Sequence, residues 1–206
     1  MIKFVYFDVG GVVILDFSKT DKFSRAKKLW GIKDSQDTEF NKFFSSYEIK
    51  ICTDLDIDNL VPVINKQFNT NLPPDYSLLN DFINNFEVNP SIWPVISEIS
   101  LNNPVGLLTD MYPRMFLGIK NRGLVPDINW QVIVDSSIVK LKKPDPKIYQ
   151  LAQDKCGFKG KEILFIDNNQ NNLDGAMDLS WQTFLYDPAN SKNSNQKLLK
   201  LWKSLR

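Results

Sequence analysis

Histidine is absent from this chain of 206 residues, and its absence removes several kinds of catalytic chemistry. Serine or cysteine nucleophiles that need an imidazole base are excluded, and so are metal sites built on histidine. The only cysteines are Cys52 and Cys156, which are too few for a disulfide framework. Any catalysis therefore depends on carboxylates, hydroxyls, lysines or a hard cation held by oxygen atoms.

The sequence also lacks an excess of either charge and any long apolar run. Its 25 basic and 24 acidic residues give a formal net charge of +1, which predicts neither nucleic acid nor a membrane surface as a partner. No run approaches the roughly 18 apolar residues of a transmembrane helix, and the first residues are not typical of a signal peptide. Together with the isolated thiols, these features predict a cytoplasmic location.

Two kinds of hydrophobic spacing divide the chain. Residues 2–7 (IKFVYF) and 12–15 (VVIL) are typical of strands. Residues 16–88 carry apolar residues three and four apart, which predicts about four amphipathic helices. After residue 89, strands alternate with helices, as in a Rossmann-like parallel sheet. We therefore expect an α/β core domain of residues 1–15 and 89–206, with a helical cap of residues 16–88 inserted after the first strand.

Polar side chains stand near the ends of four predicted strands. They occur in the segments FDVGGVV, GLLTD, KKPDPKIY and FIDNNQNNLDGA, and they are Asp8, Thr109, Asp110, Lys143, Asp167 and Asn168. Each residue alone is more typical of a turn, a helix cap or a solvated loop. Because the carboxyl ends of parallel strands meet at one edge of a sheet, their joint order favours a shared site.

In the order and spacing of these four segments, the chain resembles the haloacid dehalogenase-like (HAD) hydrolase superfamily, in the capped subfamily I. It looks most like the sugar-phosphatase and epoxide-hydrolase N-domain group. The resemblance implies a HAD-type fold and a phosphatase that acts on a small phosphorylated metabolite. In that role Asp8 would be the nucleophile, and its acyl phosphate would then be cleaved by water.

The same resemblance implies roles for the other residues. Thr109 and Lys143 would contact the phosphate, and the flexible backbone of Gly10 and Gly11 would approach it closely. The implied cofactor is Mg²⁺, with a ligand set that consists of Asp8, Gly10, Asp167 and Asn168.

Two departures from the family pattern predict weakened catalysis. Gly10 occupies the position where the family usually has a second aspartate for proton transfer, a function worth about 10²–10⁴-fold in rate. Asn168 replaces the aspartate that commonly binds the metal, so metal affinity should fall. We consider the hypothesis that Asp110 supplies the missing acid, in which case Asp110→Asn abolishes turnover and Gly10→Asp rescues it.

Two alternatives follow from these departures. One is a metal-independent 2-haloacid dehalogenase-like hydrolase, for which Arg25 and Arg114 are the candidates to hold a substrate carboxylate. The other is a catalytically inactive relative that binds a phosphorylated ligand or a protein. The sequence does not specify the oligomeric state.

Overall fold

The structure, a computed structural model, describes residues 1–206 and is built around a five-stranded parallel sheet. The strands in chain order are β1 Phe4–Phe7, β2 Ile14–Leu15, β3 Glu87–Val88, β4 Val105–Thr109, β5 Trp130–Asp135, β6 Ile163–Asp167 and β7 Gln182–Leu185. The order across the main sheet is β5-β4-β1-β6-β7, and every neighbouring pair is parallel. This arrangement confirms the predicted α/β fold class.

Ten α-helices surround or cap this sheet. They are α1 Lys22–Leu29, α2 Asp37–Thr53, α3 Val61–Phe68, α4 Leu78–Asn85, α5 Trp93–Ser100, α6 Met115–Asn121, α7 Ser136–Val139, α8 Pro146–Cys156, α9 Gln170–Met177 and α10 Ser191–Leu205. Local sequence explains where several begin. In α8, for example, the Asp145 carboxylate accepts the Lys147 N–H, and Pro146 occupies the first turn, where its missing N–H costs nothing.

Helices α1–α4 lie between β2 and β3 in the chain, and we call this segment the cap. The short antiparallel pair β2 and β3 joins the cap to the core, so the chain enters and leaves the cap at neighbouring points. The strand predicted over residues 12–15 is shorter than expected. Both Val12 N–H and Ile14 N–H donate to Val9 O, which makes a turn and leaves only residues 14–15 extended.

The hydrophobic core lies on both faces of the sheet. A cluster of 40 buried residues includes cap residues such as Phe40 as well as sheet residues such as Phe7. A second cluster of 14 buried residues, which includes Leu108 and Phe165, covers the other face. The cap therefore packs as part of the main core. No helix in the chain combines the length and the apolar composition needed to cross a membrane.

Candidate active site

The central strand of the sheet carries Asp8 to the edge where its neighbours also end. β1 lies between β4 and β6, with Phe7 paired to Leu107 on one side and to Ile166 on the other. Asp8 follows β1 directly, and its N–H donates to Ile166 O at 2.8 Å. Since β4 ends at Thr109 and β6 ends at Asp167, three of the predicted residues meet at this edge.

Lys143 is a fully buried cation that bridges two of these carboxylates. Its Nζ lies 3.0 Å from Asp8 Oδ1 and 2.7 Å from Asp167 Oδ2, and it donates to Leu108 O at 3.1 Å. The residue comes from the loop between α7 and α8 and is 1% exposed. A buried charge needs such partners, because an unpaired one pays a large desolvation cost.

Burial and charge act in opposite directions on the pKa values of this ion pair. Burial raises the pKa of the Asp8 carboxyl to about 7, and the Lys143 ammonium opposes that increase. For Lys143, burial lowers the pKa, but Asp167, Asp8 and Asp110 together raise it well above its usual value. The lysine is therefore held in its charged form, and its charge favours the ionised form of Asp8.

Asp8 and Asp167 differ in whether an oxygen is free to react. In Asp8, Oδ1 accepts the Val9 N–H at 2.8 Å and contacts Lys143, whereas Oδ2 has no hydrogen-bond partner. In Asp167, Oδ1 accepts the Asn169 N–H at 2.8 Å, and Oδ2 accepts from Lys143 and from Asn172 Nδ2. Asp8 can thus present an oxygen to a ligand, while both oxygens of Asp167 are engaged.

A carboxylate that the sequence reasoning missed lies beside Gly10. A Cβ atom at position 10 would lie 2.8 Å from Asp16 Oδ2, so Asp16 occupies the space that a side chain there would need. Asp16 Oδ1 accepts the Ser18 N–H at 2.8 Å, and Oδ2 has neither a hydrogen-bond nor an ion-pair partner. Burial raises the pKa of the Asp16 carboxyl. The only sequence signal was a lone carboxylate directly after the apolar VVIL run.

Gly11 allows Asn168 to approach the first motif. Gly11 has a φ of +73°, and a Cβ atom on it would lie 2.0 Å from Asn168 Nδ2. A side chain at this position would therefore be strained and would also displace Asn168. Asn168 Nδ2 donates to Ser18 Oγ at 3.1 Å, which links it to the segment that holds Asp16.

Asp110 and Thr109 lie beside this pair in different surroundings. Asp110 Oδ1 accepts the Lys143 N–H at 3.0 Å, and its Oδ2 lies 3.6 Å from Lys142 Nζ. Burial raises the pKa of Asp110, although both lysines oppose the increase. The Thr109 hydroxyl is buried and has no hydrogen-bond partner in the protein. Such an orphaned hydroxyl is uncommon and needs an explanation.

A cavity of about 420 Å³ lies between this edge of the sheet and the cap. Five of the predicted site residues line it, namely Asp8, Gly10, Asp110, Lys143 and Asn168. Gly11, Thr109 and Asp167 do not line it. Asp16, Lys142 and Glu48 are lining residues that the sequence reasoning did not identify.

Neither arginine considered from the sequence reaches the cavity. Arg25 contacts Asp21 on the exposed side of α1, with 3.3 Å between Nη2 and Oδ1. Arg114 is bound by two cap carboxylates, at 2.7 Å from Asp56 and 2.9 Å from Asp58. The cavity therefore has no arginine to hold a substrate carboxylate.

Comparisons with known proteins agree with this fold. A family model described as a haloacid dehalogenase-like hydrolase matches residues 2–178. No curated protein sequence matches the chain. Among solved structures, the chain is similar to the HAD family enzyme BT-2542 of Bacteroides thetaiotaomicron in its magnesium complex. The identity is 18%, the match covers 91% of this chain and 94% of that chain, and the TM-score is 0.73.

Two further solved structures represent different activities within the same fold. A HAD phosphatase from Thermococcus onnurineus is 20% identical, with 90% of this chain and 86% of that chain covered and a TM-score of 0.58. The L-2-haloacid dehalogenase PA0810 is 15% identical, the match covers 90% of this chain and 84% of that chain, and the TM-score is 0.65. At these identities the structural likeness concerns the fold, and it does not distinguish a phosphatase from a dehalogenase.

Proposed function

Because the chain belongs to the haloacid dehalogenase-like hydrolase family, we propose that it hydrolyses a small phosphomonoester through an aspartyl-phosphate on Asp8. The observation that carries this proposal is the free Oδ2 of Asp8, in a carboxylate that lines the cavity and is held beside the buried Lys143. A carboxylate is an effective nucleophile for phosphoryl transfer, because water can later cleave the acyl phosphate.

In the first step, Asp8 Oδ2 attacks phosphorus and the ester P–O bond breaks. The Lys143 ammonium stabilises the charge on the transferring group, as preorganised cations do in phosphoryl transfer. Thr109 does not line the cavity, so its buried hydroxyl, which lacks a protein partner, would have to become accessible before it could donate to a phosphate oxygen. Asp167 holds Lys143 in position by accepting a hydrogen bond from its ammonium. It is not a second nucleophile, because both of its carboxylate oxygens already accept hydrogen bonds.

The leaving alcohol needs a proton, and Asp16 is the group we assign to supply it. Its Oδ2 is free, lies at the position that a side chain at Gly10 would occupy, and belongs to a residue that lines the cavity. In the second step the Asp16 carboxylate accepts a proton from water as that water attacks phosphorus, which regenerates Asp8 and releases phosphate. Asp110 is less suited to this role because Lys143 N–H and Lys142 already hold its two oxygens.

The donors available for Mg²⁺ are oxygens with little formal charge. No group of three or more Asp, Glu, Cys or His side chains is arranged to hold a metal ion. Of the four predicted ligands, Asp8, the Gly10 carbonyl and the Asn168 amide would hold Mg²⁺, because oxygen donors suit this hard cation. Asp167 is the fourth, and both of its oxygens are already engaged. With a single carboxylate among the three available donors, we expect weak binding. When bound, the ion would neutralise charge on the phosphate.

A dehalogenase and an inactive binding protein remain the alternatives to test. The absence of an arginine from the cavity argues against a haloacid substrate. The free oxygen of Asp8 and the carboxylate of Asp16 argue against an inactive site.

The experiment is to measure phosphate release from aryl and alkyl phosphates, with Mg²⁺ and with chelator, and halide release from 2-haloacids. We expect Mg²⁺-stimulated phosphate release from the native chain and none from Asp8→Asn. Halide release without metal would instead establish the dehalogenase. The absence of both products from folded protein would favour the binding protein.

A further inference from the structure

One side of the cavity is an aromatic wall formed by five phenylalanines of the cap segment and one tyrosine that follows β4, namely Phe17, Phe23, Phe44, Phe82, Phe86 and Tyr112. The rings contact one another continuously. Phe17 and Phe82 have ring centroids 4.9 Å apart, Phe44 lies nearly parallel to Phe82 at 6.1 Å, and Tyr112 meets Phe82 edge-on at 5.3 Å. All six residues line the cavity.

Several of these rings are incompletely buried although they lie inside the molecule. Phe17, Phe23, Phe44 and Tyr112 are half-buried, and each of them lines the cavity. Covering exposed apolar surface contributes about 25 cal/mol per Å² of area removed from water. Aromatic surfaces that face each other in offset or edge-on geometry gain somewhat more. A ligand that carries a ring would therefore bind favourably, because it would cover the exposed surfaces of these side chains.

Hydrogen-bonding groups are scarce on the same side. From the cap, the polar residues that line the cavity beyond Asp16 are Ser45 and Glu48, and Glu48 already contacts Lys142 at 3.2 Å. A bound polyol would bury several hydroxyls against the rings, and each unsatisfied one costs about 1–3 kcal/mol. The wall therefore disfavours open-chain and cyclic sugar phosphates.

Most of the remaining polar lining residues come from the sheet edge and from the loops that follow its strands. Asp8, Lys143 and Asn168 line the sheet edge, so a phosphate held there would direct the rest of its ester toward the rings. The volume of about 420 Å³ is within the range of about 300–1,000 Å³ typical of small-molecule sites. It provides space for a phosphate and one ring system.

From the separation of the polar residues at the sheet edge from the aromatic wall, we infer that the substrates are phosphomonoesters whose alcohol carries a planar aromatic or heteroaromatic ring. The inference rests on the proposed phosphatase function, and it concerns what the cap selects. Phe44 is the residue through which we test it, because it is half-buried, lines the cavity and contacts Phe23 and Phe82.

The test compares benzyl phosphate with glucose 6-phosphate, both esters of primary alcohols, on the native chain with Mg²⁺. We expect kcat/KM to favour benzyl phosphate by about tenfold or more, in line with the burial of one ring. Phe44→Ala should reduce this preference mainly by raising KM for the benzyl ester. Leu117→Ala, at a position 61% exposed and outside the cavity, should leave the preference unchanged.

A binding measurement separates failure of the inference from failure of the proposed function. Phenylphosphonate and methylphosphonate, which are not hydrolysed, are titrated into native protein with Mg²⁺ by calorimetry. Tighter binding of the phenyl compound supports the inference even if no ester is turned over. Equal binding of the two compounds, or a preference for glucose 6-phosphate over benzyl phosphate, would overturn it while leaving phosphatase activity intact.

Discussion

Lys143 is the single residue on which the charge arrangement of the site depends most. Replacing it with methionine would leave Asp8 and Asp167 buried without their cation. Breaking a buried ion pair by removing one partner costs about 3–5 kcal/mol. We expect Lys143→Met to lower the free energy of unfolding by that amount and to abolish turnover, as measured by urea denaturation and phosphate release.

The matched control is Lys161→Met, at an exposed position just before β6, the strand whose opposite end carries Asp167. We expect this exposed substitution to change the free energy of unfolding by no more than about 0.5 kcal/mol. A Lys143→Met protein as stable as the native chain would show that the two carboxylates are not held by this lysine.

Asp16 is the residue that distinguishes this site from the pattern expected for its family. We expect Asp16→Asn to lower kcat for alkyl phosphates by about 10²–10⁴-fold, the usual contribution of a general acid. The loss should be much smaller for nitrophenyl phosphate, because its leaving group needs little protonation. Steady-state kinetics on the two esters measures this difference.

Asp110→Asn is the comparison variant, since it removes a neighbouring carboxylate whose oxygens are already held. If Asp110→Asn shows the larger dependence on the leaving group, Asp110 is the acid and our assignment is wrong. The rescue by Gly10→Asp that the sequence hypothesis anticipated is not expected. A Cβ atom there would lie 2.8 Å from Asp16 Oδ2 and would bring a second carboxylate against it.

At the scale of elements, the four-residue helix α7 connects the cap to the sheet. The Ser136 hydroxyl donates to Cys52 O at 2.5 Å and accepts the Met111 N–H at 3.0 Å. Lys140 Nζ adds a bond to Thr53 O from the other end of the helix. The last turn of α2 is thereby fixed over the strand ends.

We expect Ser136→Ala to lower the free energy of unfolding by about 1–3 kcal/mol, because it leaves a buried N–H and a buried carbonyl without this partner. Thermal or urea denaturation measures the change. Ser204→Ala, which removes an exposed hydroxyl bonded to Leu201 O, is the control and should have little effect. Equal effects of the two variants would show that α7 does not contribute this anchoring.

Element length explains which parts of the fold could be predicted from sequence. The buried strands and the amphipathic helices of the core repeat their pattern over enough residues to be recognised, as Val105–Thr109 and Pro146–Cys156 illustrate. Helix α7 has four residues, too few to show a period. The strand predicted over residues 12–15 begins only at Ile14, because the preceding residues form a turn around Val9.

The position of a site residue could be predicted where the residue lies at the end of a strand. It could not be predicted where it depends on the shape of a turn. Asp8 follows the buried strand β1 and Asp167 is the last residue of the buried strand β6, so their convergence could be inferred from topology. The proximity of Asp16 to Gly10 depends on how residues 9–14 fold back, which no spacing rule gives. The aromatic wall of the cavity could not be predicted either, because rings that line a cavity and rings in a core have the same helical spacing.

At the scale of the whole molecule, the cap and the sheet share one hydrophobic cluster. Phe40 in the cap and Phe7 in β1 both belong to the group of 40 buried residues. A cap that packs in this way should unfold together with the core, since separating the two would expose much of the same apolar surface.

We therefore expect one cooperative unfolding transition, whose midpoint is lowered both by Phe40→Ala in the cap and by Leu108→Ala in the sheet. The expected losses are about 3–5 and 2–5 kcal/mol, as for other large-to-small core substitutions. Urea denaturation followed by circular dichroism and by tryptophan fluorescence measures them. If Phe40→Ala produced a separate early transition, the cap would be an independent unit.

The most direct test of the function is to trap the intermediate on Asp8. The native protein is mixed with radiolabelled aryl phosphate and Mg²⁺, quenched in acid, digested and mapped. We expect the label on the peptide that contains Asp8, and none in Asp8→Asn. Phosphate release without any labelled peptide would contradict the assignment of Asp8 as the nucleophile.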